Sequence, residues 1–201
     1  MTNNNWKTKL KGDPLPWLLE SNPWTKHRTL TVLLELPENS EEVKAAKLEL
    51  TKDERIQNLI TETSRWFPVA ITRHNDPKLS SYKLRMLTDF GLNIEDKGMK
   101  DIVKKAAEHV ENGLFAIRQE LPEKGKGFQK PNPNTDEWHA LPCDSPLITY
   151  SLLSLGHNNP IVMQSVEIIK EKWKDSRGWF CHFFFGNYSA LQAHLKCHLR
   201  S

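Results

Sequence analysis

The 201-residue sequence predicts an all-α chain of repeated antiparallel helical hairpins. Three observations carry that expectation. A capping residue followed by proline recurs where apolar residues then return every three or four positions, and proline suits a first helical turn because its missing N–H is not needed there. Glycine recurs where those patterns stop, and a glycine just past a helix end closes the last turn in the left-handed conformation. Finally, two stretches share one layout at a fixed offset.

In chain order, Asp13-Pro14 opens a short helix through Trp17 and Leu18, and Asn22-Pro23 opens one through Leu30, Leu33 and Leu34. Ser40, with Glu41 and Glu42 behind it, starts the next, since negative charge in a first turn suits the helix dipole. Thr51-x-x-Glu54 has capping-box spacing and predicts a helix to about Ser64. Asp76-Pro77 precedes a helix ending near Phe90-Gly91, and a further helix is expected from Gly98 to Asn112-Gly113. Ser145-Pro146 opens a helix ending at Leu155-Gly156, and Asn159-Pro160 opens the last, ending between Trp173 and Gly178. Residues 121–141 hold several prolines and glycines and read as a long loop. No strand is expected, because no alternation of apolar and polar residues runs beyond a few positions.

The repeat pairs residues 84–115 with residues 149–180. Gly91 and Gly156 stand 65 positions apart, as do Gly113 and Gly178, and Leu87, Phe90, Val103 and Phe115 fall on Leu152, Leu155, Ile168 and Phe180. A weaker copy ends at Arg65-Trp66-Phe67. Helix pairs of this kind cannot cover their apolar faces alone and must stack on one another.

Composition narrows the function classes. Hydrophobic residues make up 38 % and charged residues 26 %, a globular balance in a chain long enough for one substantial core. The 28 basic and 25 acidic residues are interspersed, whereas a nucleic-acid footprint is a clustered patch; no nucleic-acid partner is expected. No apolar run approaches the roughly 20 residues of a membrane helix, so no membrane span is expected either. Met1 to Trp6 lacks the layout of a signal peptide, and Cys143, Cys181 and Cys197 do not form a disulfide framework. The cytoplasm is the expected location.

Gly178-Trp179-Phe180, following Glu171 to Ser176, resembles the tail of a QW-type repeat without its glutamine. Asn112-Gly113-Leu114-Phe115 and Arg65-Trp66-Phe67 resemble further copies. The stretch Gly12 to Glu20, with Asn22-Pro23 and Arg28-Thr29-Leu30, is similar to uncharacterised prokaryotic proteins with prenyltransferase and squalene-cyclase-like repeats. The resemblance, over residues 12–183, is to the terpenoid cyclase and protein prenyltransferase superfamily. It implies a partial α/α-toroid over residues 1–185, short or truncated, with residues 186–201 as a divergent tail. It also implies an apolar small molecule or a protein partner in a concave helical face, and oligomerisation if the ring is incomplete. The aspartate cluster of the cation-initiating cyclases is not matched, since Asn134-Thr135-Asp136-Glu137 lacks its first and last aspartates.

Two sets of residues are candidates for chemistry. Cys143 stands just before one helix and Cys181-His182 just after its partner, and an antiparallel hairpin returns to the end where it began. Thiolates and imidazole suit zinc, and three protein ligands leave a position open for a substrate thiol. Cys143, Cys181 and His182 are therefore the candidate metal ligands, Zn2+ the candidate cofactor, and Asp144 and His139 spare donors; their order resembles that of lanthionine-synthetase cyclases, and the alternative is that the cysteines are small buried apolar residues, Cys181 lying among Trp179, Phe180 and Phe183. Trp138 and His139, at the end of the predicted loop, are the candidate ligand-binding residues, placed to cover a cavity mouth. An isoprenoid-processing activity follows from the superfamily resemblance alone.

Overall fold

The computed structural model describes residues 9–71, 76–122, 131–141 and 143–174. Eight α-helices occur in it: α1 (Leu15–Leu19), α2 (Pro23–Arg28), α3 (Glu41–Lys52), α4 (Glu54–Thr63), α5 (Ser80–Asp89), α6 (Met99–Ala107), α7 (Asp144–Ser154) and α8 (Pro160–Lys174). Four strands lie between α6 and α7: β1 (Val110–Glu111), β2 (Leu114–Phe115), β3 (Ile117–Pro122) and β4 (Pro131–His139). The described chain is thus mostly helical, with two small sheets.

Local chemistry sets the helix starts. The Asp13 carboxylate accepts the Leu15 N–H at 3.0 Å, and Asn159 Oδ1 accepts that of Val162 at 3.0 Å. Helix α2 runs directly into a π-helical turn, Thr29–Leu33. The expected capping box is not used. Thr51 lies inside α3 and donates to the Leu48 carbonyl, while Asp53 accepts the Arg55 N–H at 2.9 Å and opens α4. One extended residue with a short acceptor therefore makes the break between α3 and α4.

Two expectations are overturned between α6 and α7. Helix α6 ends at Ala107, and Asn112-Gly113 is the tip of a hairpin in which Val110 pairs with Phe115 and Glu111 with Leu114. Both tip residues have positive φ, +50° and +77°, as a tight two-residue hairpin turn requires. Much of the predicted 121–141 loop is strand: β3 and β4 pair antiparallel, with Ile117 opposite His139 and Arg118 opposite Trp138. Along β3, Ile117 and Gln119 are buried and Arg118 only partly so. The period of two is present, but a glutamine occupies one inward position. Ile71 adds a single parallel bridge on the far side of β3, its N–H donating to the Arg118 carbonyl at 3.0 Å.

The packing has two parts. Leu30, Val43 and Ala46, with Leu19, Leu34 and Leu36 around them, form a small cluster among the N-terminal helices. A much larger core runs from Leu50 and Ile56 through Leu84, Leu87, Ile102 and Phe115 to Ile148, Leu152 and Val162. Helices α5 and α7 lie side by side at its centre and run parallel. Ser81 Oγ donates to Asp144 Oδ1 at 3.1 Å near their starts, and the Ile94 N–H donates to the Leu155 carbonyl at 2.9 Å past their ends. Both close in the same way: Gly91 and Gly156 have φ of +93° and +83°. The next residue in each case reaches back five positions, Leu92 to the Leu87 carbonyl and His157 to that of Leu152, which is the Schellman arrangement.

Candidate functional site

The pairing of α5 with α7 presents a common outer surface. Leu84 and Leu87 of α5, and Ile148 and Leu152 of α7, point into the core. Turned the other way are Tyr82 (38 % exposed) and Met86 (41 %), one turn apart on α5. Tyr150 (52 %) and Leu153 (37 %) stand likewise on α7. Arg85 joins the two helices, its guanidinium 4.1 Å above the Tyr150 ring and its Nε 2.8 Å from Asp89 Oδ2. Scattered exposed apolar side chains are ordinary, and these four stand out only in sharing two adjoining helices.

At the N-terminal end of this surface lies a polar group. Cys143 precedes α7 and is exposed, with its thiol donating to Asp144 Oδ2 at 3.2 Å. Asp144 itself is buried. Burial first, then the Asp144 carboxylate and Cys143, push the Tyr82 phenol above its ordinary range.

Of the candidate zinc ligands, the structure places Cys143 at this end of α7. Cys181 and His182 lie outside the described residues, as does the 186–201 tail. Among the described residues, no three histidine, cysteine, aspartate or glutamate side chains are arranged to hold a metal. The spare donor Asp144 is adjacent to the thiol and already shared with Ser81.

Trp138 and His139 sit on β4. The Trp138 indole lies flat on the His109 imidazole, with centroids 3.3 Å apart and planes 4° from parallel, and meets Phe67 edge-on at 6.2 Å. Burial draws the His109 pKa down, so this partner is a neutral ring. Phe67 and Trp66 also meet edge-on, at 5.3 Å, and both have positive φ, +49° and +38°, a strained conformation for bulky residues. Phe67 is held there by its N–H, which donates to the buried Ser80 hydroxyl at 2.9 Å. It also lines a recess of about 640 Å3 with Ile71, Asp76, Lys78 and Leu79. Trp138 is therefore tied into an aromatic group behind that recess.

No family model matches the chain, and no curated protein or solved structure matches it. No described helix is long and apolar enough to cross a membrane.

Sequence reasoning missed the outer faces of α5 and α7. A signal existed: α7 carries apolar residues all round, with Leu147, Ile148, Tyr150, Leu152 and Leu153 close together. A helix apolar on every side is either buried or has a second partner.

Proposed function

We propose that this chain is a binding scaffold whose outer α5–α7 surface receives an apolar segment of a protein partner. The observation that carries the reading is the exposure of Tyr82, Met86, Tyr150 and Leu153 around Arg85 on two helices locked in parallel. Tyrosine, methionine and arginine are the residue types enriched at interface cores. Each tyrosine offers a large rigid area at little entropic cost, and methionine adapts its shape to what lies on it.

The same pair of helices supports the repeat and partial α/α-toroid reading. Equivalent helices of stacked helix pairs run parallel, and α5 and α7 do so with matching glycine turns 65 positions apart. The correspondence extends from each first helix into the second: α8 begins four positions earlier in the frame than α6, and Ala107, the last residue of α6, falls two positions before the end of α8 at Lys174; the counterparts of the β1–β2 hairpin lie outside the described residues. A fold of this type hosts many chemistries, so an isoprenoid-processing role rests on resemblance alone. The zinc alternative rests on Cys143 with a carboxylate beside its thiol. It requires Cys181 and His182 to join them, and it stands or falls with the zinc content of the purified chain and of Cys143→Ala.

A photo-crosslinking residue in place of Tyr150, in cells that make the protein, tests the scaffold reading. Discrete adducts from this position, absent when it replaces exposed Leu48 on α3 and lost on adding Met86→Asp, are expected. Adducts identical at both positions, or none, would overturn it. An adduct of twice the chain's mass identifies the partner as a second copy.

A further inference from the structure

We propose that His27 is an acid-sensitive latch that holds the N-terminal helices α1 to α3 against the C-terminal turn of α5. Helix α2 stands where the small N-terminal cluster meets the main core. One turn before His27, Trp24 stacks on Phe90 at 5.0 Å. His27 itself is only 7 % exposed and lies against the next residue, Gly91. A Cβ at Gly91 would come within 2.5 Å of His27 Nδ1 and 2.7 Å of Cε1. The imidazole edge thus fills the space that only glycine leaves open. Nδ1 is fully enclosed and has no hydrogen-bond partner among the described residues.

The charges around the ring fix its protonation state. On α3, Lys47 Nζ lies 2.7 Å from the Gly91 carbonyl and 2.6 Å from Asp96 Oδ2. Arg28, beside His27 on α2, also reaches Gly91. Lys44 and Glu38 line the adjoining recess of about 330 Å3. Lys26 on α2 is committed to Glu49 on α3 at 2.9 Å. The Asp96 carboxylate is the near counter-charge, and it is already taken by Lys47 and by the Asn93 N–H at 2.7 Å. A proton arriving on the enclosed Nδ1 would add a charge beside two cations. Burial first, then Lys47 and Arg28, lower the His27 pKa against the smaller opposing pull of Asp96 and the Phe90 backbone.

The linkage has a definite sign. With the folded-state pKa below the ordinary value of about 6.5, the unfolded or detached segment binds more protons than the native one. The latch is closed above that value, and its stability is lost as pH falls below it toward the folded pKa. Detachment of α1 to α3 is the cheap response, because these helices bury three residues in their own cluster and give the main core only Leu50, with Trp24 packed against it, while the rest of that core lies from α4 onward.

Hydrogen–deuterium exchange of the full chain at about pH 7.5 and about pH 5.5, corrected for intrinsic rates, tests this. The opening constant of residues 15–34 is expected to rise by up to about tenfold per pH unit across the window, one proton being taken up. Residues 144–154 should stay protected, and His27→Gln should remove the pH dependence of residues 15–34. A uniform pH response along the chain, or the same response in His27→Gln, would overturn the proposal. If that variant misfolds, the wild-type His27 titration read by NMR decides: its midpoint must coincide with the opening of residues 15–34, and a mismatch refutes the latch.

Discussion

Alanine at Gly91 and alanine at Gly156 are the same substitution in the same local motif, and the structure assigns them different costs. Both glycines are left-handed, and placing an L-residue there costs roughly 1–2 kcal/mol. At Gly156 a Cβ would meet nothing within 4 Å, so the backbone cost is the whole cost. At Gly91 the Cβ would strike His27 Nδ1 at 2.5 Å and press on Arg28 Cδ at 3.3 Å. The imidazole or α2 must shift to admit it, and overpacking of this kind adds about 1–3 kcal/mol. Gly91→Ala should therefore lose about 2–5 kcal/mol against roughly 1–2 for Gly156→Ala. At this chain length each kcal/mol lowers Tm by about 2–4 °C. Urea unfolding followed by circular dichroism measures both. His27→Ala combined with Gly91→Ala should cost less than the sum of the single changes, by about 1–3 kcal/mol, since removing the ring makes room for the methyl. Equal losses at the two glycines, or strict additivity with His27→Ala, would refute the close contact on which the reasoning depends.

Two further outcomes follow from the core and the aromatic group. Ser145→Ala removes the hydroxyl that donates to the Phe115 carbonyl at 2.7 Å, linking α7 to β2; a buried carbonyl left without its donor should cost about 1–3 kcal/mol in urea unfolding. Trp138→Ala abolishes the contacts to His109 and Phe67, each aromatic pair being worth roughly 0.5–1.5 kcal/mol beyond its buried area. The same variant uncovers His109, so an NMR titration should show its pKa climbing back toward the ordinary histidine value; no movement would mean that the indole is not what shields it.

What the sequence made legible is what local chemistry decides. The starts at Asp13-Pro14, Asn22-Pro23 and Asn159-Pro160 and the stops at Gly91 and Gly156 appear where the residues announced them, because caps and glycine turns act within a few positions. Asn112-Gly113 was misread because glycine ends helices and also turns hairpins. The fixed offset to Gly178 favoured the first role, and the asparagine before it favoured the second. Strand β4 could not be read locally: Pro131, Pro133 and several polar residues disguise it, and its existence depends on β3 across the hairpin. Prolines are tolerated there because β4 lies at the edge of a two-stranded sheet. The α5–α7 surface was hidden for a related reason. Tyr82 and Met86 are apolar like Leu84 and Leu87, and only the packing of α7 on α5 settles which of them face out.

That packing also fixes where the outer side chains stand relative to one another. Two apolar helices side by side can slide by a turn, about 5.4 Å, at modest cost in area, because one ridge of leucines resembles the next. Here three contacts along the pair resist it. Near the start, the Ser81 hydroxyl donates to Asp144, a carboxylate 3 % exposed. In the middle, Arg85 covers the Tyr150 ring. Beyond the ends, the Ile94 N–H donates to the Leu155 carbonyl. A one-turn slip would take Ser81 from the buried carboxylate and uncouple both other contacts together, and buried polar groups that lose a partner cost far more than they contribute when satisfied. The polar contacts thus set the register that the leucines leave open, and with it the positions of Tyr82, Met86, Tyr150 and Leu153. The docking role proposed for this face needs that fixity, since a partner can match side chains only where their spacing does not drift.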